Sequence, residues 1–213
     1  MRIAFGDFSE RDYNVESVYQ IPLGGSKSAL CYLAEALAQQ GHQVFLFNHT
    51  ASPGTFRGVE CLNSSALSQE LLQTFDVFIV QNSASPGTHL REIVGSQTRL
   101  VLWTQHAHDQ PAMEALHNST DRGVYDAIVL ISEWQRHCYQ AYFGIATDKT
   151  HVLRNAISPS FAAMFPEDTL ILPQKSQPSV LAYCSTPYRG LELLLDVFPQ
   201  IRQAVPGTQL KVF

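Results

Sequence analysis

Short unbroken apolar runs recur along this chain, and the stretches between them have the spacing of one-sided helices. The runs are Val44-Phe45-Leu46-Phe47, Val77-Phe78-Ile79-Val80, Leu100-Val101-Leu102-Trp103 and Ala127-Ile128-Val129-Leu130-Ile131. A strand that is apolar on both faces needs cover on both, as in a parallel sheet between two helix layers. The alternation with amphipathic segments therefore predicts an α/β fold with a doubly wound parallel sheet and helices on both faces.

The most informative of these units is the first. Arg2-Ile3-Ala4-Phe5 is a short strand, and a long loop leads to Pro22-Leu23-Gly24-Gly25-Ser26. Leu30, Leu33, Ala34 and Leu37 then fall at the i, i+3, i+4, i+7 spacing of a helix with one buried face. Gly41 stands where a helix C-terminus favours a residue tolerant of positive φ. Two readings of Gly24 and Gly25 follow. They are a tight turn, or they let an anion such as a phosphate approach the free amides and positive dipole end of the helix.

Further along, residues 51–58 read as a turn around Ser52-Pro53-Gly54, residues 59–62 as a short strand and residues 67–75 as a helix. Residues 83–87 read as a loop, residues 90–94 as a helix, residues 104–111 as a polar loop and residues 113–117 as a helix. Ser132 with Gln135 three positions on has the S-x-x-Q capping-box pattern, and that helix should end near Gly144. Val152-Leu153 is a last short strand. Pro166, Pro173, Pro178, Gln174, Lys175 and Ser176 make residues 165–178 linker-like. The strand–helix rhythm restarts with residues 180–183, a helix over residues 191–204 containing Pro199, a Pro206-Gly207 turn and a strand at residues 210–213. The expected division is a first domain at residues 1–172, then residues 173–213 as linker and the first β-α-β of a truncated second domain. One such unit has little core of its own and leaves a sheet edge open, so self-association through it is expected.

Composition narrows the function. Hydrophobic residues are 45% and charged residues 15%, as in a core-forming globular chain. The net charge of −5, with the 14 Lys and Arg scattered, argues against nucleic acid as partner. Cys31, Cys61, Cys138 and Cys184 form no C-x-x-C pair, which fits free thiols in a reducing cytoplasm. The first eight residues lack an apolar signal-peptide core, and no apolar run approaches the roughly 20 residues of a membrane helix.

Thr104-Gln105-His106-Ala107-His108-Asp109 follows an apolar strand, where open α/β sheets bind ligands. A His there suits acid–base work or substrate hydrogen bonding, or is simply a loop residue. His106, His108 and Asp109 are also similar to part of the H-x-H-x-D-H ligand set of metallo-β-lactamase-like hydrolases, although Asp109 directly follows His108 and is itself followed by Gln110 in place of a His. Gly25-Ser26-Lys27-Ser28 is no phosphate loop, because Ser26 separates Gly from Lys and the upstream glycine is missing. No G-x-G-x-x-G is present for a dinucleotide. Ser132 reads as a cap or a substrate contact. Glu133 reads as a first-turn acid or a ligand contact, and Asn155 as a turn residue or a contact. Arg189 opens the last helix, placed either for phosphate oxygens or for solvent.

Four segments in order resemble the retaining glycosyltransferases of the GT-B fold, the large family-four-like group that uses nucleotide sugars. They are Gly24-Gly25 with a helix ending Leu37-Ala38-Gln39-Gln40-Gly41-His42-Gln43-Val44, the strand leading to His106, Val152-Leu153-Arg154-Asn155-Ala156-Ile157 with Phe161, and Arg189-Gly190-Leu191-Glu192-Leu193-Leu194-Leu195. The match covers nearly the whole chain. The resemblance implies two Rossmann-like domains with a donor in the cleft between them, a UDP- or GDP-sugar as substrate, and neither metal nor cofactor. It implies that Gly24 and Gly25 face the donor phosphate or the acceptor. His106 would hydrogen-bond the transferred sugar, with His108 as second choice, and Arg189 would neutralise the leaving diphosphate. The acceptor, whether sugar, lipid or protein, is left open. The location implied is cytoplasmic, including the inner membrane face.

The chain departs from the pattern in three places. Ala156 stands for the usual Gly, Cys184-Ser185-Thr186-Pro187 lacks the frequent Arg, and Arg189 replaces the commoner Lys. The family's E-x7-E donor segment would fall after Phe213, so the 213-residue chain by itself is expected to be inactive. A non-catalytic carbohydrate- or partner-binding module is the competing class.

Overall fold

The computed structural model describes residues 1–175 and 177–213, and Ser176 of the expected linker lies outside the described residues. The chain forms two compact units, Met1–Ser158 and Pro159–Phe213.

In the first unit, β1 (Arg2–Gly6) is followed by a 3₁₀ turn at Val15–Tyr19, α1 (Gly25–Gln39), β2 (Gln43–Asn48), β3 (Gly54–Phe56) and β4 (Val59–Asn63). Next come α2 (Gln69–Leu72), β5 (Val77–Gln81), α3 (Gly87–Val94), β6 (Arg99–Thr104), a 3₁₀ run at Pro111–His117 and α4 (Ser119–Gly123). β7 (Ala127–Leu130), α5 (Glu133–Phe143) and β8 (Thr150–Val152) complete it. The strands form one sheet in the order β3-β4-β2-β1-β5-β6-β7-β8, parallel throughout except for β3 against β4.

Every expected strand of this unit has a counterpart, although the last falls at Thr150–Val152 and leaves Leu153 of the expected Val152-Leu153 outside it. Gly41 has φ 87° and Gly144 ends α5 in the left-handed region, as their positions predict. The turn expected over residues 51–58 is instead mostly a hairpin. Its left-handed residues are Arg57 and Gly58, and three residues of β3 are too few to show a period. The helix expected over residues 67–75 shrinks to α2. Ser68 caps its start, and the Thr74 hydroxyl donates to the Leu71 carbonyl (2.7 Å) just past its end. α3 begins at Gly87, three residues before the predicted start.

Alternate residues of each strand enter two separate cores. Phe45, Phe47, Phe78, Val80, Leu100, Leu102, Ile128 and Leu130 pack under α2, α3 and α5 with Leu72, Leu90, Val94, Tyr139 and Phe143. Ile3, Phe5, Val44, Leu46 and Trp103 pack on the other side with Leu30, Cys31 and Ala34 of α1 and with Tyr13 and Val15 of the long loop. Ala127 and Val129 are only partly buried, so the second face of β7 is less covered than its unbroken apolar run predicts. Burial pushes the Cys31 thiol up to about 12 and Cys61 to about 11, which leaves both as protonated core residues.

The second unit holds α6 (Pro159–Ala162), β9 (Val180–Tyr183), α7 (Leu191–Ala204) and β10 (Gln209–Val212), with β9 and β10 paired in parallel. α7 has the predicted bounds, contains Pro199 and buries no residue fully.

Asp126 ties β6 to α3. Its carboxylate accepts from the Leu100 amide (2.8 Å) and from Arg91 (2.5 Å), with Arg99 at 3.9 Å. Partial burial opposes ionisation, but the Leu100 amide and the two guanidinium groups outweigh it and hold the carboxyl below its ordinary range. A carboxyl lowered in the folded state adds stability above its unfolded value of about 3.9, and that stability is lost as pH falls through the lower folded value. Thermal melts should therefore show a smaller acid-induced fall in Tm for Asp126→Asn than for wild type between pH 7 and pH 3. Parallel curves would contradict this role.

Candidate functional site

The sheet reverses its winding between β1 and β5. From β1 the chain steps outward to β2 and β4, and it then returns to lay β5 on the opposite side of β1. The crossovers diverge there, which leaves a crevice at the carboxyl ends of the strands, where open α/β sheets bind ligands.

α1 opens at that crevice. Gly24 is its N-cap, with ordinary backbone angles (φ −62°, ψ 150°) and no capping side chain, and the first turn carries no acid. The first helical bond runs from the Ser28 amide to the Gly24 carbonyl, so the amides of Gly25, Ser26 and Lys27 precede it. Both glycines are exposed, and a Cβ on either would meet no atom within 4 Å. Neither backbone strain nor packing demands glycine here, so the tight-turn reading fails and open room beside a helix N-terminus remains.

The loop is fixed from beneath. Gln81 at the end of β5 donates from Nε2 to the Ser26 carbonyl (2.7 Å), and the Ser26 hydroxyl donates to Gln105 Oε1 (3.4 Å). The Gln105 amide donates to Asn82 Oδ1 (2.8 Å), and Asn82 itself takes φ 54°, a conformation Asn tolerates. The Gln105 and Asn155 amide groups face each other at 3.3 Å. Gln105 thus joins the glycine loop, the His106 segment and Asn155, three of the sequence-predicted positions.

His106 is partly buried, and its backbone is held on both sides. Its amide donates to Thr104 Oγ1 (3.1 Å), and its carbonyl accepts from Gln135 Nε2 (2.8 Å) and from the Tyr139 hydroxyl (2.8 Å). Burial pushes the Tyr139 phenol up to about 12, so it stays a donor. Ser132 accepts from the Gln135 amide as the capping pattern predicts (3.1 Å), but the Gln135 side chain bonds the Ile131 amide (2.8 Å) instead of reaching back to Ser132. Its Nε2 is thereby left to hold His106.

The other predicted residues have surroundings of their own. His108 stacks on Tyr142 of α5 (centroids 3.8 Å, planes 10° apart), with no hydrogen-bond partner for its buried Nδ1 among the described residues. Asp109 is exposed, and among the described residues no three His, Cys, Asp or Glu are grouped to hold a metal ion. Glu133 pairs with Arg136 (2.6 Å). Arg189 belongs to the second unit, exposed in the turn before Gly190 (φ 98°) and α7. Residues that sequence reasoning missed are Asp7, Lys27, Gln81, Asn82 and Gln105. The one signal for Gln105 was its place beside His106 in a polar loop. Among the described residues, no helix is long and apolar enough to cross a membrane.

No known protein family's sequence pattern matches this chain, and no curated protein matches it. Solved structures do match its fold. WaaG, a glycosyltransferase involved in lipopolysaccharide biosynthesis, matches 99% of this chain and 62% of its own at a TM-score of 0.62 and 14% identity. A glycosyltransferase from Rickettsia africae ESF-5 matches 95% of this chain and 57% of its own, also at 0.62, with 13% identity. An alpha-glucosyltransferase in complex with UDP-glucose and DNA containing an abasic site matches at 0.56 and 11% identity, over 95% of this chain and 54% of its own. The fold is thus that of a Rossmann-like GT-B domain, and the chain spans about three-fifths of the length of WaaG and the Rickettsia protein.

Replacing Tyr139 by Phe removes one bond to the His106 carbonyl and little packing. Stability should fall by about 1 kcal/mol. Amide exchange should quicken at residues 105–107 before it does in β6, and hydrogen exchange followed by mass spectrometry checks both.

Proposed function

We propose that this chain is the N-terminal, acceptor-side part of a glycosyltransferase, joined to the start of its donor-side domain. The reaction moves a sugar from a nucleotide-sugar donor to an acceptor with retention and without a metal. The observation that carries this reading is the glycine pair. Gly24 and Gly25 answer to no demand of the fold, and they leave free amides and a helix dipole open at the switch-point crevice. Beside them stands His106, held by Gln135 and Tyr139.

In this reading the α1 amides meet phosphate oxygens or the acceptor, and the His106 imidazole hydrogen-bonds the sugar in transit. Arg189, at the mouth of α7, neutralises the departing diphosphate. Stabilising that charge is the main catalytic effect. Ser132 and Glu133 are already engaged in cap and ion pair, so they carry little of the reading. The donor is a UDP- or GDP-sugar, a class supported by the UDP-glucose bound to one structurally similar protein. The acceptor is a sugar, lipid or protein, and the setting is the cytoplasm or its membrane face. This chain alone is expected to transfer no sugar. The metal-hydrolase alternative loses support because His108 stacks on Tyr142.

Gly25→Ala gives a test with opposite signs. Alanine meets no clash and favours the helix, so Tm should hold or rise, by up to about 1 kcal/mol of added stability. Affinity of the full-length protein for UDP or GDP, measured by calorimetric titration, should fall about tenfold. Unchanged affinity, or no nucleotide binding by wild type, would remove the reading. His106→Ala should lower transfer at least about 100-fold, whereas unchanged transfer would leave a binding module.

A further inference from the structure

The long loop between β1 and α1 is held by a buried acid that the proposed reaction does not use. Asp7 follows the last residue of β1 and is 5% exposed. Its Oδ1 accepts from the Ser9 amide (3.0 Å), and its Oδ2 accepts from the Tyr13 hydroxyl (2.7 Å). The same Oδ2 faces the Lys27 ammonium at 3.4 Å. Burying a carboxylate this deeply costs several kcal/mol unless it is paired and hydrogen-bonded, and here both oxygens are engaged.

The three partners come from different parts of the structure. Ser9 begins the loop. Tyr13 stands midway and is anchored in turn, because its carbonyl accepts from the fully buried Asn48 at the end of β2 (2.7 Å). Lys27 lies in the first turn of α1, where a cation opposes the helix dipole and no acidic neighbour in that turn offsets it. Lys27 also lies over the Tyr13 ring, 5.8 Å from its centroid. Burial, reinforced by the Asp7 charge, keeps the Tyr13 phenol protonated and therefore a donor.

We propose that Asp7 is a positioning residue of the candidate site: through Lys27 and Tyr13 it pins the first turn of α1 to the end of β1 and holds a cation at the mouth of the helix, ready for an anionic ligand. The identity of that anion as a nucleotide diphosphate rests on the transferase reading. The positioning itself does not.

The experiment compares wild type, Asp7→Ala, Asp7→Asn and Lys27→Met. Amide exchange is followed at residues 28–30, with the amides of β5 and β6 as internal reference, and UDP affinity of the full-length protein is measured in parallel. In Asp7→Ala and Lys27→Met, exchange at residues 28–30 should quicken about tenfold while β5 and β6 keep wild-type rates, and UDP affinity should fall about fivefold or more. Asp7→Asn still accepts from Ser9 and bonds Tyr13, so it should lie between wild type and alanine. Exchange at residues 28–30 that stays at the wild-type rate in Lys27→Met, or rises only in step with β5 and β6, would overturn the inference. The Lys27 side chain is only partly buried, whereas Asp7 is nearly fully buried, so the Lys27→Met variant carries the test if Asp7→Ala does not fold. A wild type that binds no UDP would count against the transferase reading, and the exchange comparison would still decide the role of Asp7.

Discussion

β1 lying between β2 and β5 is the constraint on which the site depends. Parallel pairing on both edges leaves β1 no exposed backbone, and its side chains must alternate between two cores. The connections on its two sides run apart, so the carboxyl ends of β1 and β5 are not covered by either crossover. Every group of the candidate site in the first unit is reached from there. α1 begins over it, Gln81 supports it, and the β6 loop carries His106 beside it.

The site is built mainly from amide side chains. Gln81, Asn82, Gln105, Gln135 and Asn155 each satisfy a loop carbonyl, an amide or one another. Such groups hold polar loops without adding net charge, and two charged residues, Asp7 and Lys27, offset each other at 3.4 Å. The positive end of the α1 dipole and the Lys27 ammonium thus lie together at the start of that helix.

Much of the fold was legible from one strand at a time. A buried parallel strand declares itself by an unbroken apolar run, and α7 was bounded correctly by Gly190 and by the Pro206-Gly207 turn. Segments whose conformation depends on contacts were not legible. β3 exists because β4 offers it an edge, and α2 is short because the Thr74 hydroxyl ties back to the Leu71 carbonyl. At the site, Gly24, Gly25, His106 and Asn155 stood out in the sequence, whereas Gln105, which joins them, did not. A glutamine in a polar loop carries no local signal, and its value lies in partners 23, 50 and 79 residues away.

The sequence by itself determined the fold class, the strand order in time and the presence of a glycine-mouthed helix, because hydrophobic period and turn chemistry act within a few residues. Only the tertiary structure decided that the glycines face open room, that His108 leaves the crevice for Tyr142, and that Asp7 binds Lys27 across the loop. Those facts rest on distances between residues far apart in the chain, which the two cores set and no local pattern records.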